Sequence, residues 1–124
     1  MSLASWYASR NTVPKYLFYC TCQTDDEDSS ELAIFDLWSF AHVFWGLVYS
    51  LPLAFDVSPF ICMFIVMAAA ILYELFENSS TGIWLASEVC CTTNYRGDNF
   101  WNSVGDATCC LIGFCLALCI KLFV

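Results

Sequence analysis

The sequence predicts an all-α membrane protein: three transmembrane helices, a short interfacial helix and an extended acidic N-terminal tail. Three observations predict it. Hydrophobic types make up 60% of the 124 residues and charged types only 13%, against about 25% charged in a soluble domain. Three apolar runs of about 18 residues follow one another, close to the length a spanning helix needs. The rest of the chain is too small to cover three such runs, so burial inside a soluble fold is excluded. The third observation is charge: 12 Asp+Glu against 4 Lys+Arg give a formal net charge of −8. With a pI near 4.1 and a mean hydropathy of +0.65, the chain repels phosphate, which excludes nucleic acid as a partner. Membrane lipid is the expected surrounding.

Residues 1–31 read as a polar, acidic N-terminal segment. Within it, residues 16–22 (YLFYCTC) suit a short strand or an interfacial segment, and residues 25–31 (DDEDSSE) a solvated acidic run. Ser29 or Ser30 is placed to cap the following helix, with Glu31 favourable at its start. Residues 32–124 form a three-span domain, with spans at about 37–55, 57–76 and 107–124. The first two are joined by a tight link at Asp56, Ser58 and Pro59. Pro59 suits the first helical turn, where its missing N–H costs nothing, and Pro52 predicts a kink near the end of the first span. The second and third are separated by residues 77–106. Inside that link, residues 83–91 (IWLASEVCC) suit a short helix lying along the interface, and Trp84, Tyr95 and Trp101 suit the headgroup layer. With three spans, Arg10, Lys15 and Arg96 share one side and Lys121 lies on the other, which places the N-terminus in the cytoplasm. No signal-peptide pattern and no lipidation motif is evident.

The polar residues sort by span. Asp36 and His42 belong to the start of the first, Glu74, Glu77 and Asn78 to the end of the second, and Asp98, Asn99, Asn102 and Asp106 lead into the third. In an antiparallel bundle these three ends meet at one face of the membrane. Glu74, Glu77 and Asn78 stand at i, i+3 and i+4 and share a helix face. Asp98, Asn102 and Asp106 form an i, i+4, i+8 stripe if the helix begins near Asp98, with Gly105 permitting close approach of a helix. His42, Gly46 and Ser50 have the same spacing on the first span. Glu74, Glu77, Asp98 and Asp106 carry four negative charges when ionised and Arg96 returns one, so a partly dry cluster needs protons, a cation or retained water. Carboxylates with one imidazole suit a divalent metal held by Glu74, Glu77, Asp98, Asp106 and His42. Without a metal, the same residues form a polar network with Asp36, Asn78, Arg96, Asn99 and Asn102 that holds helices together.

Residues 73–78 (YELFEN) and 95–106 (YRGDNFWNSVGD), with His42 upstream, resemble an uncharacterised family of small bacterial membrane proteins, distantly similar to VanZ-like proteins. Its pattern is E-x-x-E-N followed by Y-x-G-D-S-x-x-N-S-x-G-D, and the resemblance covers about residues 38–118. Asn99 stands where the family tends to have Ser, and Tyr73 where Trp is common. The resemblance implies that the polar cluster is a shared feature; it supplies no reaction.

The 9 cysteines divide by location. Cys62, Cys109, Cys110, Cys115 and Cys119 lie within spans and read as small hydrophobes. Cys20, Cys22, Cys90 and Cys91 lie on the polar side, where neither C-x-C nor C-C matches the usual zinc spacing; unpaired thiols are the expectation.

The residues therefore predict a structural role: a membrane-embedded component of a larger assembly, such as a membrane complex or the membrane layer beneath a viral capsid. Partner subunits are expected at the N-terminal tail and at the aromatic faces of the spans, where Trp38, Phe40, Phe44, Trp45 and Tyr49 ring the first. One alternative is a metal-assisted membrane-surface hydrolase acting on lipid phosphates, with Glu74, Glu77, Asp98 and Asp106 on the metal and His42 as acid/base. Against it stands the lack of an Arg/Lys phosphate grip. The other is a proton or cation conductor, against which stands the scarcity of polar groups in the far halves of the spans. Enzymatic activity is not the favoured reading, and no cofactor beyond a divalent metal is implied.

Overall fold

A computed structural model describes residues 16–18, 33–89 and 97–123. The acidic run, Arg10, Lys15, Tyr95, Arg96, Cys20, Cys22, Cys90 and Cys91 lie outside the described residues. In chain order come β1 (Tyr16–Phe18), β2 (Ala33–Phe35), α1 (Leu37–Tyr49), a 3-10 turn (Leu51–Phe55), α2 (Pro59–Glu77), α3 (Ser80–Val89) and α4 (Phe100–Phe123). Three of these segments are long and apolar enough to cross a membrane: Trp38–Phe55, Pro59–Glu77 and Phe100–Phe123. The fold is an all-α, three-span membrane protein with a shorter helix between the second and third spans. Its small addition is a two-stranded parallel ladder, in which Tyr16 pairs with Ala33 and Phe18 with Phe35.

The first span is a composite. Its α-helix has 13 residues, about 20 Å at 1.5 Å per residue. The 3-10 turn of 5 residues adds about 10 Å, which brings the pair to the thickness of a hydrocarbon core. Pro52 therefore does not kink a continuous helix. It sits in the first turn of the 3-10 segment, where it withdraws no helical donor. The helix begins differently from expectation too. Asp36, not Ser29 or Ser30, is its N-cap: the Asp36 carboxylate accepts from the Ser39 N–H at 3.0 Å, and the Asp36 N–H donates to Ser39 Oγ at 3.0 Å. Residues 33–35 are already committed to β2, which leaves Asp36 as the first residue free to turn.

The link to α2 runs through Asp56 in the left-handed conformation (φ 59°), and Pro59 opens α2 as its first helical residue. The far end is tied by Lys121, whose Nζ donates to the Leu53 carbonyl at 2.7 Å and pairs with Asp56 Oδ1 at 3.0 Å.

The third span, α4, departs most from the hydropathy reading. It starts at Phe100 rather than 107 and runs for 24 residues. Hydropathy counts residue types without regard to face, and the polar residues Asn102, Ser103 and Asp106 of its first turns are all buried inside the bundle. Asn99 caps this early start: its side-chain oxygen accepts from the Asn102 N–H at 2.8 Å.

α1 packs chiefly along α4. A Cβ placed on Gly46 would run into the Cys110 backbone carbonyl, and one on Gly113 would run into the Val43 carbonyl, so glycine is what allows this approach. Gly105 serves a different neighbour from the one expected. Its open side faces the Ile34 backbone of β2 rather than a helix. Leu53, Cys62, Val66, Ala70, Cys110 and Phe114 form the apolar core below the polar end. Cys62, Cys109 and Cys110 are buried, Cys115 and Cys119 are exposed, and all five are free thiols.

Candidate functional site

The polar end of the bundle is assembled from one residue of each span. His42 lies in the second turn of α1, Glu74 one turn from the end of α2, and Asp106 in the second turn of α4. Their relative exposures are 6%, 7% and 2%. His42 Nε2 stands 3.3 Å from Glu74 Oε1, and Nδ1 3.7 Å from Asp106 Oδ1. Nδ1 also lies 3.1 Å from the Trp38 carbonyl one turn back. A carbonyl only accepts, so Nδ1 is the protonated nitrogen in this contact and donates to it. The Tyr73 ring packs edge-on against the imidazole, with centroids 5.6 Å apart.

Ser39 sits one turn before His42 and is equally buried. Its hydroxyl donates to Asp106 Oδ1 at 2.5 Å, while its N–H serves the α1 cap. This residue has no place in a reading based on charged and ligating types, although D-x-x-S at a helix start is a capping signature that points to it. Ser39 thus joins the start of the first span to the third.

A second layer ties α2 to the start of α4. Asn78 Nδ2 donates to the Glu74 carbonyl at 3.0 Å and lies 3.5 Å from Ser103 Oγ, while its Oδ1 accepts from the Asp98 N–H at 2.7 Å. Asn78 is buried. Asn102 Nδ2 reaches the Ile34 carbonyl of β2 at 3.4 Å.

The residues named from the sequence fall into two overlapping groups. His42, Glu74 and Asp106 each present a ligand atom, all within 4.8 Å of one another and all buried. Glu74, Glu77 and Asp98 do the same, with Glu77 and Asp98 only part-buried. Glu74 belongs to both, so the carboxylates run from the bundle surface to its interior. Asp36 takes the capping position beside Ser39 rather than a place in either group, and Asn99 and Asn102 serve the α4 start and β2. Arg96 lies outside the described residues. Among the described residues, five buried side-chain polar atoms lack a hydrogen bond: His42 Nε2, both Glu74 carboxylate oxygens, Asn99 Nδ2 and Asn102 Oδ1. Two of the five, His42 Nε2 and Glu74 Oε1, face one another.

No curated protein and no solved structure matches the chain. A family match covers residues 15–124, so it includes all three spans and every residue of both groups. It carries no support for the VanZ-like likeness or for the quoted motif pattern. By that match, the chain belongs to the family described as protein of unknown function DUF2585.

Proposed function

We propose that the protein is a structural membrane component, a three-span unit that works inside a larger assembly. One observation carries the reading. Only 28%, 22% and 33% of the three spans is buried within the bundle, so most of each span is covered by lipid or by neighbouring subunits. The exposed surface of the first is aromatic, with Trp38, Phe40, Phe44 and Trp45 all outward. Large rings anchor well against other helices and at the membrane interface. In this reading the aromatic faces and the N-terminal tail meet partner subunits, the N-terminus is cytoplasmic, and the polar end holds the three helices in register. Affinity purification of the tagged full chain in a mild detergent, followed by native mass spectrometry, tests it. A stoichiometric partner protein is expected. Recovery of the chain alone, from native membranes and after cross-linking, overturns it.

A second reading is a metal-assisted hydrolase acting on lipid phosphates. It is favoured by the run of carboxylates from part-exposed Asp98 and Glu77 to buried Glu74, because a shared carboxylate between two ligand groups is how paired metal ions are held. Simultaneous Glu74→Gln and Glu77→Gln substitution leaves the assembly intact under the first reading if amide hydrogen bonds suffice at the polar end, and abolishes lipid-phosphate turnover under the second. The conductor reading has less support: the described core below Ser50 is apolar, and a relay needs polar groups across the membrane.

A further inference from the structure

We infer that His42, Glu74 and Asp106 bind one divalent first-row transition-metal ion that ties the three spans together. Each residue comes from a different membrane-crossing helix, and their ligand atoms lie within 4.8 Å of one another. An ion at this point cross-links the whole bundle through a single centre. The inference is independent of the assembly reading, since an ion can clamp the bundle whether or not other subunits surround it.

The hydrogen bonds point to a cation. With the imidazole neutral and its Nδ1 proton given to the Trp38 carbonyl, Nε2 presents a lone pair. That lone pair faces Glu74 Oε1 at 3.3 Å, and neither Nε2 nor either Glu74 oxygen has a hydrogen bond. Acceptors facing one another without a donor repel, and a buried acceptor left without a partner costs about 1–3 kcal/mol. A metal ion held by Nε2 and the Glu74 carboxylate removes that repulsion. The orientation is also the one metal-bound histidines commonly adopt, one nitrogen on the ion and the other donating to a carbonyl.

Charge supports a dication over a proton. A protonated imidazole beside two carboxylates leaves one net negative charge in the bundle. A dication with neutral His42, Glu74 and Asp106 leaves none, which suits a site whose three side chains are each more than nine-tenths buried. The donor set of one imidazole nitrogen and two carboxylates selects ions of the zinc, manganese or ferrous class over a purely oxygen-ligated magnesium or calcium site. Ser39 is the outer partner that orients Asp106. Glu77 and Asp98, part-buried and within ligand distance of Glu74, give the ion an acidic approach from the surface.

The test uses the full chain in lipid nanodiscs, stripped with a chelator. Zn²⁺, Mn²⁺ or Mg²⁺ is then titrated, with bound metal read by elemental analysis and stability by the thermal melt. One Zn²⁺ or Mn²⁺ ion per chain and a raised melting temperature are expected, with binding weakened about tenfold or more in Glu74→Gln and in Asp106→Asn and unchanged in the exposed Glu88→Gln control. No saturable binding by the folded wild-type chain overturns the inference, and so does one ion per chain retained in both site variants. Mg²⁺ raising the melt as much as Zn²⁺ overturns the assignment of class. If the site variants lose their helix content, Co²⁺ on the wild-type chain decides: ligand-field bands of a nitrogen–oxygen site support the inference, and a spectrum unchanged from free Co²⁺ overturns it.

Discussion

Gly113 of α4 lies against Gly46 of α1 so closely that a Cβ on Gly113 would stand 2.9 Å from the Gly46 Cα. The two backbones touch where other helix pairs are held apart by side chains. This contact sets the distance at which His42, four residues before Gly46, meets Asp106, seven residues before Gly113. Gly113→Ala is therefore expected to push the helices apart and to destabilise the bundle by about 1–3 kcal/mol, the usual cost of overpacking. Thermal unfolding in detergent or nanodiscs measures it, and Gly46→Ala is expected to act in the same direction.

Ser39→Ala removes the buried hydroxyl that joins α1 to Asp106 and leaves that carboxylate short of a donor. A loss of about 1–3 kcal/mol is expected. Asp36→Asn keeps a side chain able to cap the helix and is expected to cost far less. Denaturation midpoints of the two variants, measured side by side, separate the roles of this adjacent pair.

Asn78 holds the end of α2 to the start of α4 through opposite ends of one amide. Asn78→Ala loses both the bond to the Glu74 carbonyl and the bond from the Asp98 N–H, at an expected cost of about 1–3 kcal/mol. Asn78→Asp keeps the acceptor for Asp98 and loses the donor to Glu74, so an intermediate effect is expected. Amide hydrogen exchange at Asp98 reads this directly: fast in the alanine variant and slow in the aspartate variant.

At the opposite end, Lys121 and Asp56 form an exposed pair, with the Asp56 side chain 95% exposed. Such pairs contribute about 0–1 kcal/mol and weaken with salt. Lys121→Gln is expected to fall in that range, with a difference from wild type that shrinks as salt is raised. Asp56→Gly loses the same pair but relieves the left-handed backbone at that position, so its expected net change is near zero. Melting curves across a salt series check both.

Much of the architecture was legible from composition and run length, because lipid imposes a simple demand on a spanning segment: enough apolar residues in a row. The meeting of His42, Glu74 and Asp106 was legible from helical spacing once an odd number of crossings placed their ends together. The start of α4 was not legible in the same way. Asn102, Ser103 and Asp106 lower the hydropathy of a helix whose polar face is turned inward, and run length is blind to direction. Gly113 and the bond from Ser39 to Asp106 were hidden for another reason. A serine and a glycine carry no charge or periodic signal, and their importance comes from a partner on another helix. The Lys121–Asp56 pair joins residues 65 positions apart and is visible only after folding.

The 24 residues of α4 extend about 36 Å, more than the roughly 30 Å of a hydrocarbon core, and the turns carrying Asn102 and Asp106 lie at the Phe100 end. The surplus length lets those turns stand at the shoulder of the bilayer rather than at its middle. Polarity is consequently sided: part-buried Glu77 and Asp98 lie at the Phe100 end, the buried apolar layer of Leu53, Val66 and Phe114 lies below them, and the exposed Asp56–Lys121 pair marks the other end. A membrane containing this protein is chemically asymmetric at that point.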